Sequence, residues 1–414
     1  MEKKSPNILL VHTHDLGTWL GCYGDGSISS PRLDAFAAEA VRFDQAFSTA
    51  PLCSPARGSL FTGLYPHQHG LTALVHRGGA YRPGTETLPM QIRRAGYHTA
   101  LIGLQHEAVD SRTLGFDEIA GEGYLPRALV VAETTERWLR ADRGDERPFF
   151  LTVGMWETHR PWPAEDYRAD DPATVGVPSW LPDNDFTRRD VAAFHGAIRQ
   201  ADQAVGRILD ALEATGRDRD TLVIFTTDHG AAFPRAKGSL YDPGLHVALL
   251  ARPPLEWNVP PRVHTGLISH VDVHATLLDV AGVCASTEGI SFLPLLRGEP
   301  TTPEREAVYA EKVEHDVYDP IQAVRTARWK YVRNLADGPA LVLSGDLETS
   351  ITRQGYGDDH LAPRASEELY DLAHDPDERT NLAADPGYDA VRERLAAELD
   401  AWLAPGRPGA GRGC

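Results

Sequence analysis

The sequence predicts an α/β fold: a large mixed, mostly parallel sheet sandwiched by helices, then a small C-terminal α+β unit with an antiparallel sheet and one helix. Three observations carry this prediction. Residues 7–12, 148–156 and 221–227 are short apolar runs uninterrupted by charge, as in strands buried on both faces. Long helical periodicity separates the second run from the third. After the Gly/Pro/Thr stretch at 298–303 the pattern changes to short strands, which marks a domain boundary. The expected division is 1–300, 301–404 and a disordered Gly/Pro/Arg tail at 405–414.

A chain of 414 residues can bury one large core and a smaller second one. Its formal charge of −18 argues against a basic nucleic-acid footprint and against binding to an acidic membrane surface. The 4 cysteines, Cys22, Cys53, Cys284 and Cys414, show no spacing that suggests zinc or a disulfide framework. No signal-peptide core precedes residue 7 and no apolar run is long enough to span a bilayer, so the expected location is cytoplasmic. The sequence leaves a homo-oligomer open.

The first apolar run ends in Thr13-His14-Asp15-Leu16-Gly17, and open α/β sheets place their sites at the carboxyl ends of such strands. His14 and Asp15 therefore stand where a site is expected, and His14 alone would read as a hydrogen-bonded loop residue. Ser30-Pro31 starts a helix whose apolar side is Leu33, Phe36, Ala37, Ala40 and Val41. In residues 50–64, Pro55 suits the first position of a helix, with Leu60, Phe61 and Leu64 as its apolar side. Cys53 then stands just ahead of a helix start that favours anions, and Arg57 reaches back from one turn later. Those groups suit an oxyanion ester; the alternative is a small buried hydrophobe at 53.

The glycine-rich turn at 74–79 carries His76 and Arg77, as pocket lining or as a solvated loop. A helix at 87–97 with a glycine cap leads to a strand at 99–103 and then Leu104-Gln105-His106-Glu107. The second run is followed by Glu157-Thr158-His159-Arg160-Pro161, and 163–182 reads as a surface loop at the pocket mouth. Helical periodicity over 189–216 precedes the third run, which ends in Asp228-His229-Gly230. Lys237 follows in Phe233-Pro234-Arg235-Ala236-Lys237-Gly238-Ser239-Leu240-Tyr241. A strand at 246–251, a helix at 271–281, strands at 310–316 and 323–333, and a helix at 388–403 complete the reading.

Cys53-Ser54-Pro55-Ala56-Arg57, running on to Leu60-Phe61-Thr62-Gly63, resembles the signature of type I, formylglycine-dependent sulfatases of the alkaline-phosphatase-like superfamily. Ala56 stands where most members carry serine. The resemblance covers nearly the whole chain. It implies that a formylglycine-generating enzyme oxidises Cys53 to formylglycine, whose hydrated aldehyde attacks the sulfur of a small sulfated substrate. It implies a divalent cation, Ca²⁺ or else Mg²⁺ or Mn²⁺, on Asp15, Asp228, His229 and His14. Arg57, Lys237 and His159 are implied to stabilise the transferred group, His159 or a neighbour to protonate the leaving atom, and His106 to release the sulfate. His76, Arg77, Gln105 and Arg160 are expected at the substrate.

Two departures stand out. His14 occupies the first of two positions that are aspartates in the family, and Leu104 replaces a sulfate-binding lysine. The nearest branch is the sulfamidase branch, on Gln105-His106-Glu107, Glu157-Thr158-His159-Arg160-Pro161 and Phe233-Pro234. The expected reaction is hydrolysis of an O–S or N–S bond. Rival readings are a phosphonate or phosphodiester hydrolase, a sulfuryl- or sulfamate-transfer enzyme, and an inactive binding protein on the same scaffold.

Overall fold

Strand β1 (Asn7–Thr13) sends alternate side chains into two separate cores, and the layers of the molecule follow from that alternation. Leu9 and Val11 pack with Leu151, Val153, Val223 and Phe225 on one face, and Ile8 and Leu10 with Phe150, Leu222 and Ile224 on the other. The computed structural model describes residues 5–24, 26–123, 125–142, 144, 146–299 and 304–404. The expected tail at 405–414 and positions 300–303 of the expected boundary lie outside these residues.

The strands that complete the main sheet are β2 (Val41–Phe43), β4 (His98–Gly103), β5 (Glu118–Ala120), β6 (Phe149–Gly154), β7 (Thr221–Thr227), β8 (Leu249–Arg252) and β9 (Arg262–His264). Here β3 (Ala46–Phe47) pairs instead with β10 (Ile268–Ser269). The eight-stranded order is β5-β4-β6-β1-β7-β8-β2-β9. β6 and β7 flank β1 in parallel, with Leu9 opposite both Leu151 and Val223, and only β8 runs the other way. The sheet is therefore mixed and mostly parallel, as expected.

Helices cover both faces. Asp185–Ala214 buries Val191, Phe194, Ile198, Ala201, Val205, Ile208 and Leu212 against the first core. Its β-branched residues cost under about 1 kcal/mol each in helix propensity. Burial of each large apolar side chain stabilises by about 1.5–3 kcal/mol, so packing decides. The helix starts four residues before the expected 189, because the Asn184 side chain accepts from the N–H groups of Phe186 and Thr187. On the other face, helix Cys53–Thr62 is buried along its whole length beside helix His270–Val280. Small residues make this possible; a Cβ on Gly58 would lie 2.7 Å from the His69 ring.

Several expected boundaries shift. The Cys53 helix begins at Cys53 with Leu52 as its cap, so Pro55 is its third residue, where a missing N–H also costs nothing. The helix after Ser30 stops at Ala38, because Val41 is already paired in β2. The strand expected from 246 begins at Leu249, since His246 closes the short helix Asp242–Leu245. Cys284 is disulfide-bonded, where its spacing suggested no bridge.

The C-terminal sheet is antiparallel, in the order β11 (Ala307–Glu314), β12 (Tyr318–Thr326), β13 (Trp329–Asn334), β14 (Glu367–Asp371). The stretch 323–333 thus divides between two strands of a hairpin. Helix Asp389–Leu403 packs Leu395, Leu399 and Trp402 on Val324, Tyr331 and Leu369. Buried Lys330 ties this sheet to the main body through Asp242 Oδ1 at 2.5 Å, and also pairs with Glu378 Oε1 of the C-terminal unit itself at 2.6 Å. Among the described residues, no helix is long and apolar enough to cross a membrane.

Candidate active site

Strands β1, β6 and β7 stop at one level, and the residues that follow them meet. The His14 N–H donates to the Glu157 carbonyl at 3.0 Å, and the Thr158 N–H donates to the His14 carbonyl at 2.7 Å. The Thr158 hydroxyl also reaches the His14 and Asp15 carbonyls. Asp15 sits at a φ of 53°, a left-handed conformation that aspartate tolerates better than most side chains. Its N–H donates to Asp228 Oδ1 at 2.9 Å, as does the N–H of His229.

Cys53 opens its helix at this spot. Its Sγ lies 3.4 Å from His229 Nε2 and 3.9 Å from Asp15 Oδ1. Burial alone would raise this thiol, but His14, Lys237 and His229 hold it well below the usual range against the opposing Asp15 charge. Asp15, Asp228, His229 and His14 are fully buried around it. His14 Nδ1 lies 2.8 Å from Asp15 Oδ1 and 3.5 Å from Asp228 Oδ2, and His229 Nε2 lies 3.1 Å from Asp15 Oδ1. Burial opposes protonation of His14, yet Asp228, Cys53 and Asp15 raise it to about 9. His229 is raised by Asp228 and Asp15 in the same way, again against burial.

Two long cations enter from behind. Arg57 donates Nε to Asp228 Oδ2 at 3.1 Å and Nη2 to the Thr13 carbonyl at 2.9 Å, and its Nη1 lies 2.6 Å from His12 Nδ1. Its contacts therefore brace Asp228, whereas the sequence placed it over Cys53. Lys237 Nζ donates to Asp15 Oδ2 at 2.7 Å and to Asp346 Oδ2 at 2.8 Å, and lies 3.2 Å from His159 Nε2. Burial, then the Lys237 charge, depresses His159 to about 4. A file of rings leads outward: His159 on His14 at 4.6 Å, His14 on His106 at 5.8 Å, and His106 stacked on His76 at 5.7 Å. Arg77, also at this mouth, pairs with Asp316 at 2.5 Å.

The remaining expected contacts are closed locally. The Gln105 amide donates to the Ala108 carbonyl and accepts from the N–H groups of Glu107 and Ala108. Arg160 makes a bidentate pair with Asp190 at 2.9 and 2.6 Å and donates Nε to the Ala232 carbonyl. The structure brings neither to the Cys53 cluster. Leu104 is buried and lines a small void with His12, Phe61 and Glu107, so this position offers no charge. Three residues join the site that the sequence reading did not name for it: His12, Asp346 and buried Glu107, whose carboxyl burial pushes up. His12 ends an apolar strand and was legible as such; nothing in the sequence marks Asp346.

Residues 6–283 match the sulfatase family model, more than half of the chain. The chain belongs to the sulfatase family. Residues 233–345 of this sulfatase also match the model for the C-terminal part of N-sulphoglucosamine sulphohydrolase. The human N-sulphoglucosamine sulphohydrolase is 30% identical over 457 residues, covering 96% of this chain and 89% of that one. A choline-sulfatase of Rhizobium meliloti (strain 1021) is 26% identical, covering 97% and 86%. The crystal structure of the phosphonate monoester hydrolase of Agrobacterium radiobacter shares the fold, with a TM-score of 0.77 at 23% identity over 96% and 95% of the two chains.

The sulfatase family implies a divalent cation, and the donors of this chain fit one. His229 Nδ1 lies 3.0 Å from the Gly230 carbonyl, which assigns the proton to Nδ1 and turns Nε2 toward Asp15. Donor atoms of Asp15, Cys53, Asp228 and His229 lie within 4.8 Å of one another, as do those of His14, Asp15, Cys53 and His159. The carboxylates that raise two buried imidazoles would meet the same demand with a metal ion.

Proposed function

We propose that this sulfatase hydrolyses a sulfate ester or sulfamate of a small molecule, with Cys53 as the source of the nucleophile. One observation carries the reading: the Cys53 sulfur sits 3.4 Å from His229 Nε2 and 3.9 Å from Asp15 Oδ1, enclosed by ionisable groups. A cysteine serving only as a core hydrophobe would sit among apolar side chains. Conversion of Cys53 to formylglycine by a formylglycine-generating enzyme would supply a hydrated aldehyde as the attacking oxygen. Asp15, Asp228, His229 and His14 would hold a divalent cation, which supplies Lewis-acid stabilisation of negative charge.

The chain's own groups do the rest. Arg57, with its nitrogens bound to Asp228, His12 and Thr13, fixes the Asp228 carboxylate in place. Lys237 is the cation that meets the sulfonyl oxygens, the larger part of the protein's electrostatic stabilisation. The Lys237 ammonium faces His159 Nε2, which is neutral near pH 7, so the proton for the departing oxygen or nitrogen comes from Lys237 through Nε2 and leaves Lys237 as the amine. The Nδ1 of His106 is buried without a hydrogen-bond partner, which leaves it able to accept the proton lost when sulfate is released. His76 and Arg77 border the leaving group. The catalytic unit is 1–300 and the C-terminal subdomain 301–404. The match to the N-sulphoglucosamine sulphohydrolase model supports including sulfamates among the substrates.

The test is the mass of the peptide containing Cys53, from protein made in a host with the maturing enzyme. A decrease corresponding to thiol-to-aldehyde conversion is expected, with faster turnover of aryl sulfate or sulfamate than of aryl phosphonate. An unchanged thiol with no turnover supports the binding-protein reading instead. Preference for the phosphonate would move the protein to the other hydrolase class.

A further inference from the structure

The turn between β11 and β12 stands at the mouth of the site. Glu314 pairs with Tyr318, and the His315 N–H donates to the Val317 carbonyl at 3.3 Å, so 315–317 form a tight connection. Asp316 fixes that connection on two sides. Its Oδ1 pairs with Arg77 of the main body at 2.5 Å, and its Oδ2 accepts the Gly345 N–H at 2.8 Å. Asp346, next to Gly345, meets Lys237 at 2.8 Å, so the turn is braced to the ammonium of the reacting site. His315 Nδ1 lies 3.0 Å from Asp316 Oδ2, with 13% of its side chain exposed. The charges that act on its ring are those of Lys237, the Cys53 sulfur, Asp316 and Asp346.

A carboxylate only accepts, so this contact assigns the ring proton to Nδ1 and leaves a lone pair on Nε2. Among the described residues, Nε2 has no hydrogen-bond partner. Burial, then Lys237, lowers His315, and burial, then His106, lowers His76. Arg77 offsets Asp316, and Lys237 offsets Asp346. This side of the mouth therefore offers hydrogen bonds and little net charge. We propose that His315 is a specificity-determining residue, whose Nε2 accepts a hydrogen bond from a hydroxyl or N–H carried by the leaving group beside the scissile bond. Asp316 and Arg77 are its positioning residues. The site then prefers neutral leaving groups with such a donor over those that have none. This rests on the hydrolase reading above.

The experiment measures kcat/KM of the full chain, made with the maturing enzyme, on phenyl, 2-hydroxyphenyl and 2-methoxyphenyl sulfate. The matching N-sulfonated anilines are run beside them. Only the 2-hydroxy compounds add a donor, and the methoxy compounds control for bulk. Each result is a ratio within one protein, so a general loss of activity or of folded fraction cancels. In wild type the hydroxyl is expected to raise kcat/KM about tenfold over both other substituents, the upper end for one neutral hydrogen bond. In His315→Phe that ratio falls to about one, while the intrinsic reactivity of the compounds stays the same. Asp316→Asn, which removes the charge holding the proton on Nδ1, narrows the ratio and is read in its place if His315→Phe does not fold. Absence of the preference in wild type, or its persistence in the variants, overturns the proposal and leaves the hydrolase reading intact. No turnover of any of these compounds removes that reading and the proposal with it.

Discussion

At the ends of β1, β6 and β7 the polar side chains are fixed by backbone pairing between neighbouring strands, while Asp316 and Asp346 reach the same pocket from the C-terminal sheet and its connections, and contact it only through side chains. His14 and Asp15 are pinned by Glu157 and Thr158, and Asp228 by two N–H groups and Arg57. Asp346 instead meets Lys237, and Asp316 meets Arg77. The first group shares the rigidity of the sheet. The second depends on how the C-terminal sheet docks, through buried pairs such as Lys330 with Asp242.

The largest predicted effect lies at the strand ends. Cys53→Ala lowers kcat by roughly 10⁴-fold or more, as loss of a nucleophile does elsewhere, with the thermal midpoint little changed. Turnover within tenfold of wild type would remove position 53 from the chemistry. Next comes Lys237→Ala, which removes the ammonium shared by Asp15, Asp346 and His159. It costs about 10²–10³-fold in kcat. A change confined to KM would show that Lys237 only gathers substrate.

The strand-end half of the site was legible because its residues follow recognisable apolar runs. Asp15, Cys53, His159, Asp228 and Lys237 all stand in short signatures, and the structure brings all five together. Gln105 and Arg160 also lie next to such runs, yet their side chains turn into Ala108 and Asp190. Adjacency in sequence does not fix side-chain direction. Asp346 had no signal at all: an acidic residue in a short helix, 109 positions from Lys237, is placed by the docking of one sheet on another. The shifted helix starts have a local cause, side-chain and proline capping that periodicity does not register.

The third prediction tests whether the C-terminal contribution is functional. Asp346→Asn keeps the shape and weakens the hold on Lys237. It is expected to lower kcat/KM about tenfold, on the scale of other supporting partners, mostly through kcat. Steady-state kinetics with a chromogenic sulfate checks this. Unchanged kinetics would reduce the segment to a scaffold, and the two regions would then differ in role as well as in rigidity.

The smallest effect concerns stability, and it again separates the two regions. In the main body His69 and His274 are buried, and desolvation lowers each to about 3. An unfolded histidine titrates near 6.5, so each contributes stability that is present above about pH 6.5 and is lost as pH falls toward the folded value. At the C-terminal sheet, burial lifts Glu378 to about 7, with Lys330 opposing. Its contribution is present below the unfolded carboxyl value and is lost as pH rises through about 7, the opposite slope. Asp242 and Asp319 are held low by Lys330 and Lys312 against burial, so their pairs weaken only below about pH 4. Between pH 6.5 and 4.5 the body should therefore loosen first while the sheet contacts persist. Hydrogen exchange should show protection falling around helix His270–Val280 before β12 and β13. His274→Leu should flatten the acid slope of the thermal midpoint without altering turnover at neutral pH. Simultaneous loss of protection in both regions would mean that the sheet and the body unfold as one unit, and that their contrast is confined to the pocket.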